Sequence, residues 1–491
     1  MKLTPSDIYT HYRPSKCDLR IFLKNRGVAT GVQSPYLDVL LRLGHRHEQE
    51  HLAIFPTYQD LSGIDNEDEL LESTTTSVLA RVDVIYQPLL KSAVTIAGID
   101  CEVSGRPDFL IRDDLGYRIR DSKISRRINQ KDHPEIILQL QTYAWLFERM
   151  FDVPAFRIEV HNGPGEIIEI PYEGPDPVVN GFREIVQIRS LQQEPFAPVK
   201  LSKCGGCGYY ENCWTKAEAT RSVSLVVGVD QGLAFAFHEQ GILTMDQLLE
   251  KFDSEELAEV QRRRGTKLVR VGTAATSILR NAKALATGQQ IALSKPEIPL
   301  TSNFVMFDLE GLPPQLDEFQ KVYLWGMQVF GEKPSEYISS TAGFGVYGDR
   351  EGWEGFLEKA AQIFDEYGDI SFVHWATYEA TLITVYLERF GDGTGRAARV
   401  QKNLLNLLPI TERSIVLPLP GYSLKRIEKY IGFERTQDEY GGNWSMAKYI
   451  EATETQDLAT RESLMDAIRT YNREDLEATW AVLEWLLKLS N

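Results

Sequence analysis

The sequence predicts a multidomain α/β protein, and three observations carry that prediction. At 491 residues the chain is longer than one hydrophobic core normally serves, so two or three domains are expected. The text changes character along the chain. Residues 1–218 begin helical and turn to strands, residues 219–299 are helix-rich with short glycine turns, and residues 300–491 open on a strand and close on a long helix. The Lys295-Pro296-Glu297-Ile298-Pro299 stretch reads as the linker before the third segment. Finally, 43% of residues are hydrophobic, enough for sizeable cores, yet no run of 18 or more apolar residues occurs. No membrane partner is expected.

Residues Met1 to Pro5 carry no apolar signal region, so a cytoplasmic protein is the expectation. The net charge of −17 argues against a general polyanion-coating protein but leaves room for a local basic groove beside catalytic carboxylates. Three basic stretches stand out: Lys123 to Arg127, Arg262 to Arg264, and Lys267 to Arg270. Each reads equally well as a solvated face or as a phosphate contact.

Within the first segment, Phe109–Arg112 and Tyr117–Lys123 alternate as strands do, around a turn at Asp113-Asp114-Leu115-Gly116. Asp108 starts one strand. Asp121 and Lys123 lie two apart on the other and share a face. Two carboxylates suit Mg²⁺ or Mn²⁺, and a lysine beside them can orient or help deprotonate a water, which is the minimum for metal-assisted phosphodiester hydrolysis. Upstream, a helix over Leu37–Leu52 contains Gly44, His47 and Glu48, a further source of a ligand. Downstream, a helix over Pro134–Met150 puts Gln139 and Tyr143 on one face and Ile136, Leu140, Leu146 and Phe147 on its core side.

G-R-P-D, then D-S-K, then Q-x-x-x-Y, preceded by a Gly/His/Glu helix, resembles the RecB-type branch of the PD-(D/E)XK nucleases, a restriction-endonuclease-like fold. The resemblance implies that Asp108 and Asp121 are metal ligands, that Lys123 is the catalytic lysine, and that Gln139 and Tyr143 belong to the site. Many members carry a histidine four residues after the helix glycine. Here Glu48 stands there with His47 just before it, and either would serve as ligand, Glu48 being preferred for a hard cation.

The five cysteines are better read as ligands or core thiols than as disulfides. Cys204, Cys207 and Cys213 form C-x2-C-x5-C, and three thiolates want a fourth. Cys17 is far away in sequence but in the same segment, whereas Cys101, on the strand side of the hairpin, reads as a buried thiol. Four thiolates suit zinc or an iron–sulfur cluster, and the one-plus-three spacing is less natural for zinc. The pattern is similar to the iron-stapled RecB-family nucleases, which implies a structural 4Fe–4S cluster on Cys17, Cys204, Cys207 and Cys213.

In the third segment, residues 303–311 read as a buried strand that puts Asp308 and Glu310 on one face. Residues 370–375 are strand-like, and Tyr378-Glu379 opens a helix. Tyr471 and Asp475 are four apart on the long helix over Asp457–Leu487. Together these resemble the DEDDy 3′–5′ exonucleases of the RNase H-like fold. The implied metal ligands are Asp308, Glu310, Glu379 and Asp475, with Tyr471 positioning water. The third acid is usually Asp, so Glu379 is a departure. Tyr422 to Gly432 is similar to a packing helix of that group.

The middle segment, with turns at Glu239-Gln240-Gly241 and Val271-Gly272-Thr273, resembles helix-hairpin-helix units whose backbone N–H groups contact phosphates. A plain helical spacer fits nearly as well.

The whole is similar to a family of RecB-like nucleases with a C-terminal RNase H-like domain. It implies a nuclease, with an exonuclease preferred, acting on single-stranded or free-ended DNA, with RNA as the second candidate. No G-x-x-x-x-G-K-[ST] phosphate loop occurs, so any helicase would be a separate partner. Two other readings stand beside it. Either only the first site is active and the C-terminal domain binds substrate or regulates, or the chain is a non-catalytic iron–sulfur nucleic-acid adaptor.

Overall fold

The structure is a computed structural model that describes residues 1–31, 35–155, 157–172, 174–200, 204–313, 320–343, 345–437 and 441–490. It forms two compact units, one within residues 1–213 and one within residues 214–491.

In the first unit, β1 (Lys2–Leu3) precedes helices α1 (Pro5–Tyr12), α2 (Asp18–Asn25) and α3 (Pro35–Leu52). After β2 (Gln59–Asp60), α4 (Glu67–Leu79) and β3 (Val84–Tyr86) come two hairpins. The first joins β4 (Leu90–Ile96) to β5 (Ile99–Gly105) through Ala97 and Gly98, both at positive φ, the two-residue turn that matches strand twist. The second joins β6 (Phe109–Asp113) to β7 (Gly116–Ser122), with Asp113 facing Gly116. The strands therefore run one residue further into the turn than alternation alone indicates, and Lys123 falls just beyond β7. Helix α5 (Pro134–Phe151), strands β8 (Arg157–His161) and β9 (Ile167–Ile170), and helix α6 (Asp176–Ser190) complete the layers.

The main sheet has the order β2-β3-β6-β7-β8-β9, with β7 and β8 parallel, and a second sheet has the order β1-β5-β4. Helix α5 is apolar nearly all round because it lies inside the unit: Leu140, Ala144 and Leu146 are fully buried. Its close approach requires Gly105, where a Cβ would lie 2.7 Å from the Tyr143 ring. That contact also fixes where Tyr143 sits. Helix α7 (Tyr210–Ala219) carries Cys213.

The second unit begins with α8 (Gln231–Glu239), α9 (Met245–Lys251) and α10 (Ser254–Glu259). Gly241 turns the chain between α8 and α9 at φ 76°. A hairpin of β10 (Gln261–Arg264) and β11 (Lys267–Arg270) then interrupts the helices. Helical periodicity does not place it, because its alternation is of charge and is short. After α11 (Ala275–Thr287), β12 (Ile291–Ala292) pairs with a later strand, β18 (Ile415–Val416), so this segment and the C-terminal one share hydrogen bonds.

The larger sheet comprises β13 (Asn303–Leu312), β14 (Lys321–Gly331), β15 (Ile338–Thr341), β16 (Phe372–His374) and β17 (Leu404–Asn406). Its order is β15-β14-β13-β16-β17. Strand β14 is antiparallel to both its neighbours, while β16 and β17 run parallel to β13. Helices α12 (Gly345–Tyr367), α13 (Tyr378–Phe390) and α14 (Arg396–Lys402) pack around Phe307, Trp325 and Phe356 on one side. On the other, α15 (Leu407–Ser414), α16 (Leu424–Tyr430) and the long α18 (Leu458–Ser490) enclose Phe304, Met306 and Leu476. Helix α17 (Gly442–Glu454) precedes α18.

Candidate active sites

In the first unit, antiparallel pairing of β6 with β7 brings Asp108, just before β6, against Asp121 within β7. The two hold each other through backbone. Asp108 N donates to Asp121 Oδ1 at 2.9 Å, and Ser122 N donates to Asp108 Oδ2 at 2.7 Å. Lys123 Nζ donates to Asp121 Oδ2 at 2.9 Å. Burial pushes the Asp108 carboxyl well up, and the Asp121 charge adds to this while Lys123 opposes it. Burial alone would lower Lys123, but Asp121 and Asp108 outweigh it and its pKa is raised. The lysine therefore stays a cation, suited to holding a water or a developing negative charge.

Glu48, on α3, reaches the same place through one intermediary. Gln87 Nε2 donates to Glu48 Oε1 at 2.7 Å and to Asp108 Oδ1 at 3.0 Å. Tyr86 OH also donates to Glu48 Oε1, at 2.7 Å. Gln87 is held at φ 55°, its backbone N–H bonds Asp108 O at 2.8 Å, and Arg106 Nη2 bonds its carbonyl at 3.2 Å. A non-glycine residue in the left-handed region next to paired carboxylates is the kind of strain that clusters at functional sites. Sequence reasoning missed Gln87, because nothing in Tyr86-Gln87-Pro88 distinguishes it from a polar turn.

His47 is placed differently. Its ring stacks on His161 at 4.2 Å, and His161 stacks in turn on His51 at 3.9 Å. Burial, with the neighbouring cationic and imidazole groups, lowers His51 to about 3 and His161 to about 4. Gln139 Nε2 donates to Tyr143 OH at 2.9 Å. Burial raises Tyr143, and the charges of Asp121 and Asp108 raise it further, which places the phenol beside the carboxylates.

The four cysteines come together as well. Cys17 caps the N-terminus of α2, Gly206 turns the later loop at φ 75°, and Gly31 N bonds Gly208 O at 2.7 Å. A Cβ on Gly208 would lie 2.9 Å from Thr30, so that approach requires glycine. Burial pushes the Cys213 thiol up to about 12, with Cys17, Cys207 and Cys204 adding to the shift. Cys101 lies apart, buried in β5.

In the second unit, Asp308 and Glu310 on β13 meet Asp475 on α18. Their oxygens lie within 4.8 Å of one another, a set of hard donors that fits a divalent cation. Burial drives both β13 carboxyls up, and Asp475 is the next cause for each; Glu310 reaches about 8. Carboxyls crowded this closely protonate unless a cation neutralises them. Asn472 Nδ2 donates to Asp308 Oδ2 at 2.8 Å and accepts at Oδ1 from Tyr337 OH at 3.0 Å. Strand β14 makes room for it with Gly326, where a Cβ would overlap the Asn472 side chain. Burial raises the Tyr471 phenol, and the charges of Glu310, Asp475 and Asp308 raise it further.

Two features differ from a bare acidic cluster. Asp475 is bound by Arg435, which also donates to Glu428 at 2.8 and 2.7 Å, and Lys425 Nζ lies 3.6 Å from Asp475. Glu379 stands outside the close trio. Its carboxylate meets His374 Nδ1 at 3.1 Å, although its charge still helps to raise Asp308. Asn472, Arg435 and Lys425 were not foreseen. Asn472 lies next to Tyr471 in the helical motif, and Lys425 lies in the Tyr422–Gly432 stretch expected only to pack. Ile427 does pack there, fully buried, while Lys425 reaches the acids.

Residues 44–214 match the PD-(D/E)XK nuclease superfamily, and residues 305–487 match the RNase H superfamily. The chain thus carries a PD-(D/E)XK nuclease-superfamily domain followed by a C-terminal RNase H-superfamily domain. No curated protein matches it. Among solved structures it is similar to one titled "Crystal structure of SSO0001", at 16% identity over 44% of this chain and 86% of that one, with a TM-score of 0.25, a likeness too slight to carry an argument. Among the described residues, no helix is long and apolar enough to cross a membrane.

Proposed function

We propose that the protein is a metal-dependent nuclease of single-stranded or free-ended DNA, with exonuclease action and RNA as the second candidate substrate. The observation that carries this reading is the clasp of Asp108, Asp121 and Lys123, in which Asp121 accepts from the Asp108 backbone N–H and from Lys123 Nζ while the Asp108 carboxylate accepts from Ser122 N. Asp108 and Asp121 would hold Mg²⁺ or Mn²⁺, with Glu48 supporting them through Gln87 and His47 the more distant candidate. The metal would supply Lewis acidity and an activated water. Lys123 would hold that water or the departing charge, and Tyr143 and Gln139 would line the substrate side. In the second domain Asp308, Glu310, Asp475 and Glu379 are the proposed ligands, with Tyr471 placing water.

We further propose that Cys17, Cys204, Cys207 and Cys213 hold a structural 4Fe–4S cluster. Their one-plus-three spacing, less natural for zinc, and the mutual influence of the four thiols support that reading. A cytoplasmic location and a separate helicase partner complete the reading.

A second reading has its own support. Arg435 and Lys425 already neutralise Asp475, and His374 engages Glu379, an arrangement that suits a C-terminal domain that binds or regulates rather than cuts. Cleavage of 5′- and 3′-end-labelled DNA and RNA by wild type, Asp121→Ala, Asp308→Ala and the double variant tests both readings. Two active sites predict residual 3′-end degradation by Asp121→Ala that Asp308→Ala removes. Complete loss in Asp121→Ala alone leaves the regulatory reading, and undiminished cleavage by the double variant refutes both sites. Iron and visible absorbance lost in Cys17→Ser but kept in Cys101→Ser would support the cluster, and about one zinc per chain would refute it.

A further inference from the structure

The ten residues Gln261–Arg270 carry five cations and no carboxylate, in a chain whose net charge is −17. They form the β10–β11 hairpin, which turns at Gly265 with φ 60° and pairs Arg263 with Leu268 and Arg264 with Lys267. The hairpin is fastened from one face. Arg262 is buried, with Nη1 3.1 Å from Asp230, and Arg264 Nε lies 3.2 Å from the same carboxylate. Asp230 also caps α8 by accepting from Leu233 N at 2.9 Å. Gly232, in the first turn of α8, lies so close to β10 that a Cβ there would overlap the Arg263 carbonyl.

Strand alternation sends Arg263, Leu268 and Arg270 to the opposite face, while Lys267, paired with Arg264, flanks the Gly265-Thr266 turn at the hairpin tip. Arg270 meets Glu259 at 3.0 Å at the surface. Arg263 and Lys267 are exposed and, among the described residues, make no ion pair. Leu268 is 62% exposed beside Arg263. Exposed cations attract an anion, and a held backbone presents them with little ordering cost.

We propose that this hairpin is a contact surface for the phosphodiester backbone of nucleic acid, with Arg263 on its open face and Lys267 at its tip meeting phosphates and Leu268 lying against a sugar or base. The inference rests on the nuclease reading and adds a substrate contact that no active-site residue supplies.

The test uses the full chain carrying Asp121→Ala and Asp308→Ala, so that labelled oligonucleotides, single-stranded and duplex, survive. Fluorescence anisotropy across a series of KCl concentrations gives affinity and salt slope. Adding Arg263→Ala and Lys267→Ala should reduce the slope of log affinity against log salt on the single strand by about 1.4, equivalent to about 25-fold weaker binding at about 0.1 M salt. Adding Arg280→Ala and Lys283→Ala instead removes two exposed cations of α11 and should change neither by as much. Thermal melts should be unchanged in both. If the parent binds and the hairpin variant matches it, or the α11 variant falls equally, the hairpin is not the contact surface. If the parent binds no oligonucleotide, the nuclease reading fails and the hairpin proposal with it.

Discussion

Binding of Mn²⁺ to the C-terminal domain should depend steeply on pH, and Glu310 sets the window. Burial, reinforced by the Asp475 charge, holds its carboxyl up to about 8, and Asp308 is raised by the same causes. A cation takes the carboxylate form, so a proton must leave as it enters. For one carboxyl at about 8, the ionised fraction rises about ninefold from pH 6 to 7 and about fivefold from pH 7 to 8, then levels off. Apparent Mn²⁺ affinity should follow that curve, steepened by Asp308. The effect on stability runs opposite to that of an ordinary paired carboxylate. With the folded pKa above the unfolded value of about 4.3, the native state binds more protons in between, so without metal the protein loses stability as pH rises from about 4 to about 8. Mn²⁺ should therefore raise the melting temperature most near the top of that window. Calorimetric titration of the Asp108→Ala/Asp121→Ala protein, in two buffers of different ionisation enthalpy, measures affinity and proton release together. Affinity flat between pH 6 and 8, with no proton released, would refute the reasoning. A Glu310→Gln protein that still binds with the same pH dependence would assign it to another group.

Two further outcomes follow from close contacts. Gln87→Ala removes the amide that ties Glu48 to Asp108 and should lower Mn²⁺ affinity and cleavage at the first site by about 10–100-fold, with Gln87→Glu no better. Calorimetry on the substrate-free protein separates this from a folding defect. Gly326→Ala forces the new methyl into Asn472 and should destabilise the protein by about 1–3 kcal/mol while releasing Asp308, read as a lower denaturation midpoint together with weaker metal binding in the second domain.

Much of both sites was legible because regular structure turns spacing into direction. Strand alternation puts Asp308 beside Glu310, and helical spacing puts Tyr471 beside Asp475. Gln139 and Tyr143 share a helix face for the same reason. What the sequence hides is whatever depends on tertiary approach. Gln87 matters through a left-handed backbone that Pro88 does not announce, and Arg435 reaches Asp475 from a loop 40 residues away. His47 and Glu48 are likewise separated by local rotation. Adjacent positions on α3 point about 100° apart, so one meets Gln87 and the other the His161 ring. The β10–β11 hairpin escapes a search for hydrophobic periodicity because its repeating residues are arginines.

The pairing of Lys2 and Leu3 with Glu102 and Val103, and of the Cys17 region with the loop at 204–213, also sets a timetable. The first helices leave the ribosome long before their partners exist. At about 5–20 residues per second, roughly 10–40 s pass between synthesis of Cys17 and of Cys213. For much of that interval Ile8, Leu19 and Ile21, later buried, lack the helices α5 and α6 that pack on theirs. Synthesis speed and chaperone supply should therefore govern the yield of intact first domains more than the stability of the finished one. Slowing translation between codons 25 and 100 would prolong the exposure, whereas a pause after 213 would give the assembled unit time to close before the second begins to emerge.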